Sequence, residues 1–463
     1  MEKKPNRQQL ACDFIFENYI QFRRLRFDII TQKVQICDLL PQPSSSLADS
    51  TPPSHWRYLT NADINTMVCD CSSATGVHIT AREIITVLNA GHSYIPHVHP
   101  LREYILSLRP YTPDQPDWID MVASQVRVKD NAESGISKDN LNNIPLANAA
   151  SGEGNHPTPS YTTLYHTTPS ADALWRACFK KWFVAMVASW MRDDIVNHQV
   201  LVLIGRQGIY KTTWLERLIP SHLRDYCCKL ANATQLSKDD RLRIAEFGLI
   251  NLDELDAMTP RELNAMKSVI TASDINERVA YGYTKERRMR LASFCGSSNR
   301  REFLTDITGN RRWMPFEVET IQNPFYTTLP YDLMYAQAWA LVNDPTYSYW
   351  LELDEIAVLE EHNETFRAQD SEEQLLPILF DIPAEGKGEF MTTAQISERL
   401  VTFGNIRKPM SVSRLGTLLG AAGYKSVTRG SRRARVRGWI VYQRDTSEIN
   451  ANKTLLAKEC VTM

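Results

Sequence analysis

The sequence lacks an excess of charge of either sign, because its 52 lysines and arginines are matched by 54 aspartates and glutamates. A chain so balanced has no global field drawing it to nucleic acid, so any such contact must come from a local patch. Zinc-finger spacings and CxxC pairs are also missing. The nine cysteines, among them Cys69, Cys71 and the adjacent Cys227 and Cys228, therefore favour reduced thiols in a cytosol.

Long apolar runs are absent as well. No stretch reaches the ~18 apolar residues that span a bilayer, and the opening MEKKPNRQQLACDF lacks an apolar core of signal-peptide length. No repeat of solenoid period is visible. We therefore expect a cytoplasmic protein with no membrane partner.

The hydrophobic content of 43% is enough for several packed cores, and the length suits about three domains of ~150 residues. Residues 129–170 are rich in Asn, Ser, Thr, Gly and Pro, which predicts a linker. Residues 1–128, with a capping-box pattern at Thr80, are interpreted as a mostly helical domain. A catalytic domain is expected over 171–345, and a basic C-terminal domain over 346–463.

A phosphate-binding loop is predicted where the buried apolar run Val200–Ile204 ends. The residues that follow, GRQGIYKTT, precede a helical stretch, which is the strand, loop and helix context that such a loop requires. Lys211 would reach the β- and γ-phosphates of ATP, and Thr212 would bind Mg²⁺. The residues assigned to the nucleotide are Gly205, Gln207, Gly208, Ile209, Tyr210, Lys211, Thr212 and Thr213.

Tyr210 departs from the usual pattern G-x-x-x-x-G-K-[ST], which places a glycine directly before the lysine. Gly208 must then supply the close backbone approach, since tyrosine tolerates fewer backbone conformations than glycine. A degenerate loop that does not hydrolyse nucleotide stays open as the alternative.

Two further apolar runs end in polar residues. After the first, Asp253 would hold Mg²⁺ through water and Glu254 would polarise the attacking water. An acidic pair alone could be a solvated strand end, but after a phosphate loop it indicates a nucleotide site. Asp256 is interpreted as a solvated turn residue. The second run leads to Asn299, whose amide would sense the γ-phosphate or simply cap a loop.

Two basic clusters follow. Residues 279–290 place aromatic and basic side chains around a glycine, as a hairpin that binds a nucleic-acid backbone would, although a solvent-facing hairpin is the alternative. Arg311 and Arg312 lie beside a glycine turn, and one of them would neutralise the phosphoryl group transferred in a neighbouring subunit. A salt bridge within the subunit is the alternative there. The nucleic-acid candidates in the hairpin are Lys285, Arg287, Arg288 and Arg290.

The strongest local positive field lies between residues 405 and 444, which hold ten basic side chains and no acidic one. Helix, helix and basic hairpin predict a winged-helix-like domain, with the second helix for a major groove and the wing for phosphates. A protein-binding or merely solvated basic surface is the alternative. The nucleic-acid candidates here are Arg414, Arg432, Arg433 and Arg435.

In their order and spacing, GRQGIYKTT, LINLDELD, the basic hairpin, SFCGSSN and EFLTDITGNRRW resemble superfamily 3 helicases. More closely, they resemble the virulence-associated protein E family of phages and bacterial mobile elements. The resemblance covers about residues 157–318. Residues 99–104, HPLREY, are also similar to a short segment that this family carries before its ATPase core.

This resemblance implies an α/β fold with an AAA+-like P-loop NTPase core and a hexameric ring linked to replication of an integrated element. It implies ATP and Mg²⁺ as ligands. By position, it implies that Lys211 and Thr212 form Walker A, Asp253 and Glu254 form Walker B, Asn299 is the sensor, and Arg311 or Arg312 is the arginine finger.

The expected function is an ATP-dependent DNA helicase- or translocase-type motor that acts on single-stranded or forked DNA in the bacterial cytoplasm. No polymerase-type primase domain is evident in the first 150 residues, which leaves priming to a separate protein. Two alternatives stay open. One is an ATP-regulated DNA-binding assembly factor that does not unwind, and the other is a phage-defence effector built on the same core.

Overall fold

The computed structural model describes the chain as two compact units. The first lies within Met1–Arg301 and Arg311–Glu361, and the second within Glu302–Asn310 and His362–Met463. The residues that the structure describes are 6–22, 24–38, 55–90, 95–130, 169–230, 238–277, 285–304, 310–368, 370–383, 388–407, 409–431 and 434–445. Most of the predicted linker at 129–170 lies outside these ranges.

The N-terminal part of the first unit is a four-stranded sheet packed with helices. Its strands follow the order β3-β2-β1-β4, with β4 parallel to β1 and the other pairs antiparallel. In chain order, its elements are α1 (Arg7–Ile15), which continues into a π-helical turn (Phe16–Ile20), β1 (Leu25–Asp28), β2 (Lys33–Asp38), β3 (His55–Tyr58), α2 (Asn61–Thr75), α3 (Ala81–Leu88) and β4 (His97–Val98).

The prediction of a mostly helical N-terminal domain did not include this sheet, although helices hold most of the residues in the described elements of this region. In β2 the apolar Val34 and Ile36 alternate in sequence with the polar Lys33 and Gln35, and this period-two pattern is the signal that could have identified the strand. The predicted capping box at Thr80 is confirmed: its side chain accepts a hydrogen bond from the backbone N–H of Glu83, whose carboxylate accepts one from the N–H of Thr80.

The next segment contains α4 (Pro100–Ser107), α5 (Trp118–Ala123) and β5 (Val126–Val128). Buried Leu101, Ile119 and Val126 from these elements belong to the core of the central sheet. The predicted domain boundary at residue 128 therefore does not separate two cores, because α4, α5 and β5, which precede it, belong to the core of the central sheet.

The segment HPLREY ties α4 to that core. His99 caps α4, with Nδ1 accepting a hydrogen bond from the backbone N–H of Arg102 at 3.2 Å. Burial, together with Arg102, lowers the pKa of His99 to about 4, so the imidazole is neutral at pH 7. Arg102 donates to the carbonyl of Trp190 at 2.8 Å, and Tyr104 donates to Asp332 at 2.8 Å.

The centre of the first unit is a six-stranded sheet in the order β5-β12-β6-β11-β8-β7, in which only β5 is antiparallel to its neighbour. Strands β9 (Asp274–Glu277) and β10 (Glu286–Met289) form a separate two-stranded sheet in this part of the chain. The other elements after β5 are, in chain order, α6 (Ala171–Met191), β6 (Val200–Ile204), α7 (Lys211–Glu216), β7 (Cys227–Leu230), α8 (Lys238–Glu246), β8 (Leu249–Leu252), α9 (Pro260–Thr271), β11 (Ser293–Ser298), β12 (Trp313–Ile321), α10 (Tyr331–Val342) and α11 (Leu353–Glu364). The three predicted apolar strands are confirmed as β6, β8 and β11, and they lie side by side.

Helix α6 lies at the centre of the core, and most of its residues are buried. Its three indole rings are fully buried, and each N–H is satisfied by a carbonyl: Trp175 donates to Ala123, Trp182 to Phe294, and Trp190 to Gly248, at 2.9–3.0 Å. A buried indole needs such a partner. Two of these bonds reach β11 and the start of β8, so α6 holds those strands in place.

Gly296 allows the two strands to approach closely. A Cβ at this position would lie 2.7 Å from the carbonyl oxygen of Leu252, a distance that no side chain tolerates. Glycine is therefore required in the middle of β11, where it pairs with Leu252 at the carboxyl end of β8.

The second unit is built on β16, which pairs antiparallel with three other strands. Buried Leu400, Leu419 and Trp439 belong to its core, and Ser411 caps α14. Its elements are α12 (Ser371–Leu379), β13 (Phe380–Asp381), β14 (Glu389–Met391), α13 (Thr393–Gly404), α14 (Val412–Ala421), β15 (Lys425–Ser431) and β16 (Ala434–Gln443).

The predicted boundary at residue 346 also differs from the structure. Tyr347, Tyr349 and Leu351 pack against the core of the first unit, so that unit continues into α11. Across the described ranges, no helix combines the length and apolar character needed to cross a bilayer.

Candidate active site

The residues predicted to bind a nucleotide meet at one edge of the central sheet. Since β6, β8 and β11 are parallel neighbours, their carboxyl ends bring Gly205, Asp253 and Asn299 to the same edge. This is the edge at which open α/β sheets bind their ligands. Residues far apart in the sequence are thus brought into one cluster.

The glycine loop, residues 205–211, has an unusual backbone. Gly208 and Tyr210 have φ of +87° and +68°, values that L side chains rarely adopt. For a tyrosine this left-handed conformation costs roughly 1–2 kcal/mol. The position at which the usual pattern has glycine therefore keeps a glycine-like backbone, although the residue is Tyr210.

The other predicted loop residues surround the turn. Gly205 lies under Ile209, and a Cβ at Gly205 would approach Ile209 Cδ1 to 3.0 Å and the carbonyl oxygen of Val318 to 3.1 Å. Ile209 packs against the core, Gln207 is exposed, and Thr213 is half-buried in the first turn of α7.

Lys211 crosses the loop with its ammonium group held by three oxygens. Its Nζ donates to the carbonyl of Gly205 at 2.7 Å, to that of Arg206 at 2.8 Å and to Asn299 Oδ1 at 3.2 Å. Burial lowers the pKa of Lys211. The predicted lysine and the predicted sensor amide are therefore in direct contact.

Asp253 is the acceptor at the centre of the cluster. Its Oδ1 accepts from Thr212 Oγ1 at 2.9 Å and from Ser297 Oγ at 2.5 Å, while Oδ2 pairs with Lys229 Nζ at 2.5 Å. Burial alone would raise the pKa of Asp253, but the hydrogen bonds from Lys229, Ser297 and Thr212 lower it. The carboxylate is therefore ionised at neutral pH.

The oxygen donors of this cluster fit a magnesium ion. Mg²⁺ prefers carboxylate and other oxygen ligands, and usually keeps several waters. Thr212 and Asp253, both predicted as ligands, supply a hydroxyl and a carboxylate in mutual contact. Ser297 adds a second hydroxyl 3.3 Å from that of Thr212.

Sequence reasoning missed Lys229 and Ser297. Lys229 lies on β7, beside β8, and no motif marks it. Ser297 precedes the predicted sensor by two residues at the buried end of β11, and that position was the available signal.

Glu254 and Asp256 follow β8 in a tight turn. Glu254 has φ of +55° and is exposed. Asp256, interpreted as a solvated turn residue, lies in the turn and is half-buried, and its Oδ1 also accepts from the backbone N–H of Asn299 at 3.1 Å. Asp256 therefore positions the residue that contacts Lys211.

Arg311 and Arg312 lie at the opposite edge of the sheet. Strand β12 begins at Trp313, opposite Val200, whereas the glycine loop begins after Ile204, opposite Glu317. Four strand steps of ~3.3 Å give about 13 Å between these levels, more than an arginine side chain spans. Neither arginine can reach the glycine loop of the same chain.

The predicted basic hairpin is present as the antiparallel pair of β9 and β10, although residues 278–284 lie outside the described ranges. Lys285 and Arg287 are exposed, and Arg287 pairs with Asp274. Arg288 is mostly buried and pairs with Glu246 at 2.9 Å. Its prediction as a nucleic-acid contact is wrong, because the guanidinium is already bound inside the unit.

Arg290 is also wrongly predicted to bind nucleic acid. Its side chain is buried and donates to the carbonyls of Ala292 at 3.0 Å, Asn197 at 2.8 Å and Ile270. Burial lowers its pKa to about 9. Arg290 instead ties the end of the hairpin to the core.

In the second unit, Arg414 pairs with Asp370 at 2.6 Å and Arg435 is exposed. Arg432 and Arg433 lie outside the described residues, as do residues 305–309 of the segment EFLTDITGNRRW. The binding of nucleic acid by this surface stays a prediction.

Residues 157–368 match the virulence-associated protein E-like domain, in agreement with the resemblance drawn from the motifs. No curated protein matches the chain.

Among solved structures, the apo C-terminal region of NrS-1 in its A form is 10% identical, with a TM-score of 0.37, and covers 95% of this chain and 100% of that chain. A second apo structure of the same region is 11% identical, with a TM-score of 0.38 and the same coverage. Likeness at this level carries no argument about function.

The structural role of Arg290 can be tested against its neighbour on β10. Arg290→Met removes the donors of three buried carbonyls, so we expect the free energy of unfolding to fall by about 2–4 kcal/mol. Arg287→Met removes only an exposed ion pair, which changes stability by ~0.5 kcal/mol or less. Chemical denaturation measures both, and equal losses would contradict the assignment.

Proposed function

Because the chain contains a virulence-associated protein E-like domain, we propose that its central sheet is the core of a P-loop ATPase that binds and hydrolyses Mg²⁺-ATP. One observation carries the proposal. Thr212 and Asp253, 41 positions apart, are hydrogen-bonded at 2.9 Å where the two predicted Walker motifs meet. That contact joins a phosphate loop to an acidic strand end, as a nucleotide–metal site requires.

Each residue of the cluster has a role in this reaction. Lys211 would neutralise the β- and γ-phosphates, while Thr212 and Asp253 would hold the ion. Bound Mg²⁺ supplies neutralisation of the charge that develops on the phosphates. Glu254, exposed in the turn after β8, would orient the attacking water, and Asn299 would sense the γ-phosphate from its contact with Lys211.

The geometry favours a working loop over a degenerate one. Tyr210 adopts the left-handed backbone that glycine would take, so the substitution need not change the path of the loop. Lys211 also points across the loop, and its partners are oxygens that a phosphate could replace.

We further propose that the ATPase drives a motor on DNA in the replication of a phage or mobile element. The order of elements in the second unit, α12, β14, α13, α14 and the β15–β16 hairpin, supports a winged-helix unit with basic side chains in its hairpin. The distance of Arg311 and Arg312 from their own glycine loop supports a finger that acts on a neighbouring subunit in a hexameric ring.

Turnover tests the motor directly. The purified chain should hydrolyse ATP in a Mg²⁺-dependent reaction stimulated by single-stranded DNA, with activity lost in Lys211→Ala and Glu254→Gln. Glu361→Gln, an exposed glutamate on α11, is the matched control and should keep full activity. ATP binding without turnover above the Lys211→Ala background would contradict the motor and favour the assembly factor.

Subunit mixing tests the arginine finger. Arg311→Ala or Arg312→Ala subunits, inactive alone, should regain activity when mixed with Lys211→Ala subunits, because some interfaces then combine an intact loop with an intact arginine. The measurement is ATPase rate against mixing ratio. An absence of recovery with both variants would assign these arginines a role within their own subunit.

A further inference from the structure

Three aromatic side chains lie exposed beside the glycine loop. Tyr210 is 37% exposed, and Phe325 and Tyr326, from the turn after β12, are 73% and 89% exposed. Large apolar side chains clustered on a surface mark binding sites more often than isolated ones do. Tyr210 was assigned to the nucleotide as part of the glycine loop, but none of the three rings has a role in the chemistry proposed above.

Two of these rings form a corner. Tyr210 and Phe325 have ring centroids 6.2 Å apart and planes at 80°, an edge-to-face contact. The amide of Asn323 donates to the hydroxyl of Tyr210 at 3.5 Å. We call Tyr210, Phe325 and Asn323 the aromatic corner. It offers two ring faces and an amide in one place.

The turn that carries Phe325 is held in position. Asn323 Oδ1 accepts from the backbone N–H of Phe325 at 3.0 Å, and Thr327 Oγ1 donates to the carbonyl of Asn323 at 3.0 Å. Arg217, at the end of α7, donates to the carbonyl of Thr327 at 3.1 Å. The turn is thus bonded to the helix that follows the glycine loop, and the corner keeps its place beside that loop.

Tyr210 is strained in its left-handed conformation, in which glycine would be relaxed. Strain of this kind persists where the side chain serves a function. A tyrosine ring that borders a phosphate loop is suited to stacking, because each nucleobase has a π-face and stacks on aromatic side chains.

We propose that the aromatic corner binds the base of the nucleotide whose phosphates occupy the glycine loop. This inference rests on the proposed ATPase function and deepens it. Phe325 supplies the exposed face on which the base stacks, Tyr210 closes the second side, and Asn323 holds the tyrosine hydroxyl. On this proposal, the contact of the Tyr210 ring with the base is the function for which a strained tyrosine stands at a position where glycine would be relaxed.

The test compares two ligands that share their phosphates. Mg²⁺-ATP and Mg²⁺-tripolyphosphate are titrated calorimetrically into the full chain, and the ratio of their Kd values reports the base. In Phe325→Ala the advantage of ATP should fall about tenfold, the factor equivalent to ~1.4 kcal/mol of stacking, while tripolyphosphate affinity stays within about twofold. Phe22→Ala, a phenylalanine 65% exposed in the N-terminal region, is the matched control and should keep the ratio.

A second variant acts on the loop itself. Tyr210→Gly should also reduce the advantage of ATP, whereas Tyr210→Phe should keep most of it, because the ring is retained. If ATP and tripolyphosphate bind equally to the wild type, or Phe325→Ala and Tyr210→Gly keep the ratio, the aromatic corner is not a base site and the ATPase proposal stands. If neither ligand binds the wild type, the proposed function itself fails, and the base site with it.

Discussion

The side-by-side pairing of β6, β8 and β11 is the constraint on which the candidate site depends. Parallel strands end at the same edge, so the strand pairing alone places the loop lysine, the acidic pair and the amide close together. Gly296 permits this pairing, since a Cβ there would collide with the Leu252 carbonyl two residues before Glu254. The indoles of α6 then fix the strands from one side through hydrogen bonds to Phe294 and Gly248.

Residues around the cluster position the groups proposed to act on the nucleotide. Asp256 accepts from the Asn299 backbone, and Asn299 contacts Lys211, so the turn after β8 is linked to the loop lysine. Lys229 and Ser297 keep Asp253 ionised through direct hydrogen bonds. The backbone strain is confined to the loop, at Tyr210, while the surrounding strands are well packed. Binding loops supported by a rigid scaffold commonly show this combination.

The sequence was most informative where a single segment carries its own signal. Buried parallel strands appear as unbroken apolar runs, so β6, β8 and β11 could be identified, and caps such as Thr80 are local patterns. The sheet of β1 to β3 was missed because its alternation is short and interrupted by polar residues. Contacts between distant residues, such as Lys229 with Asp253, have no local signal. Nor does a basic run reveal that the guanidinium of Arg290 faces carbonyls and not solvent.

The claim that Asp253 and Thr212 form a metal–nucleotide site is tested most directly by equilibrium binding, without turnover. A non-hydrolysable ATP analogue should bind the wild type at least about tenfold more tightly with Mg²⁺ than with EDTA, a difference of ~1.4 kcal/mol. In Asp253→Asn this dependence on Mg²⁺ should disappear, whereas Asp274→Asn, on the hairpin strand β9, should keep it. Equal dependence on Mg²⁺ in the wild type and Asp253→Asn would contradict the account.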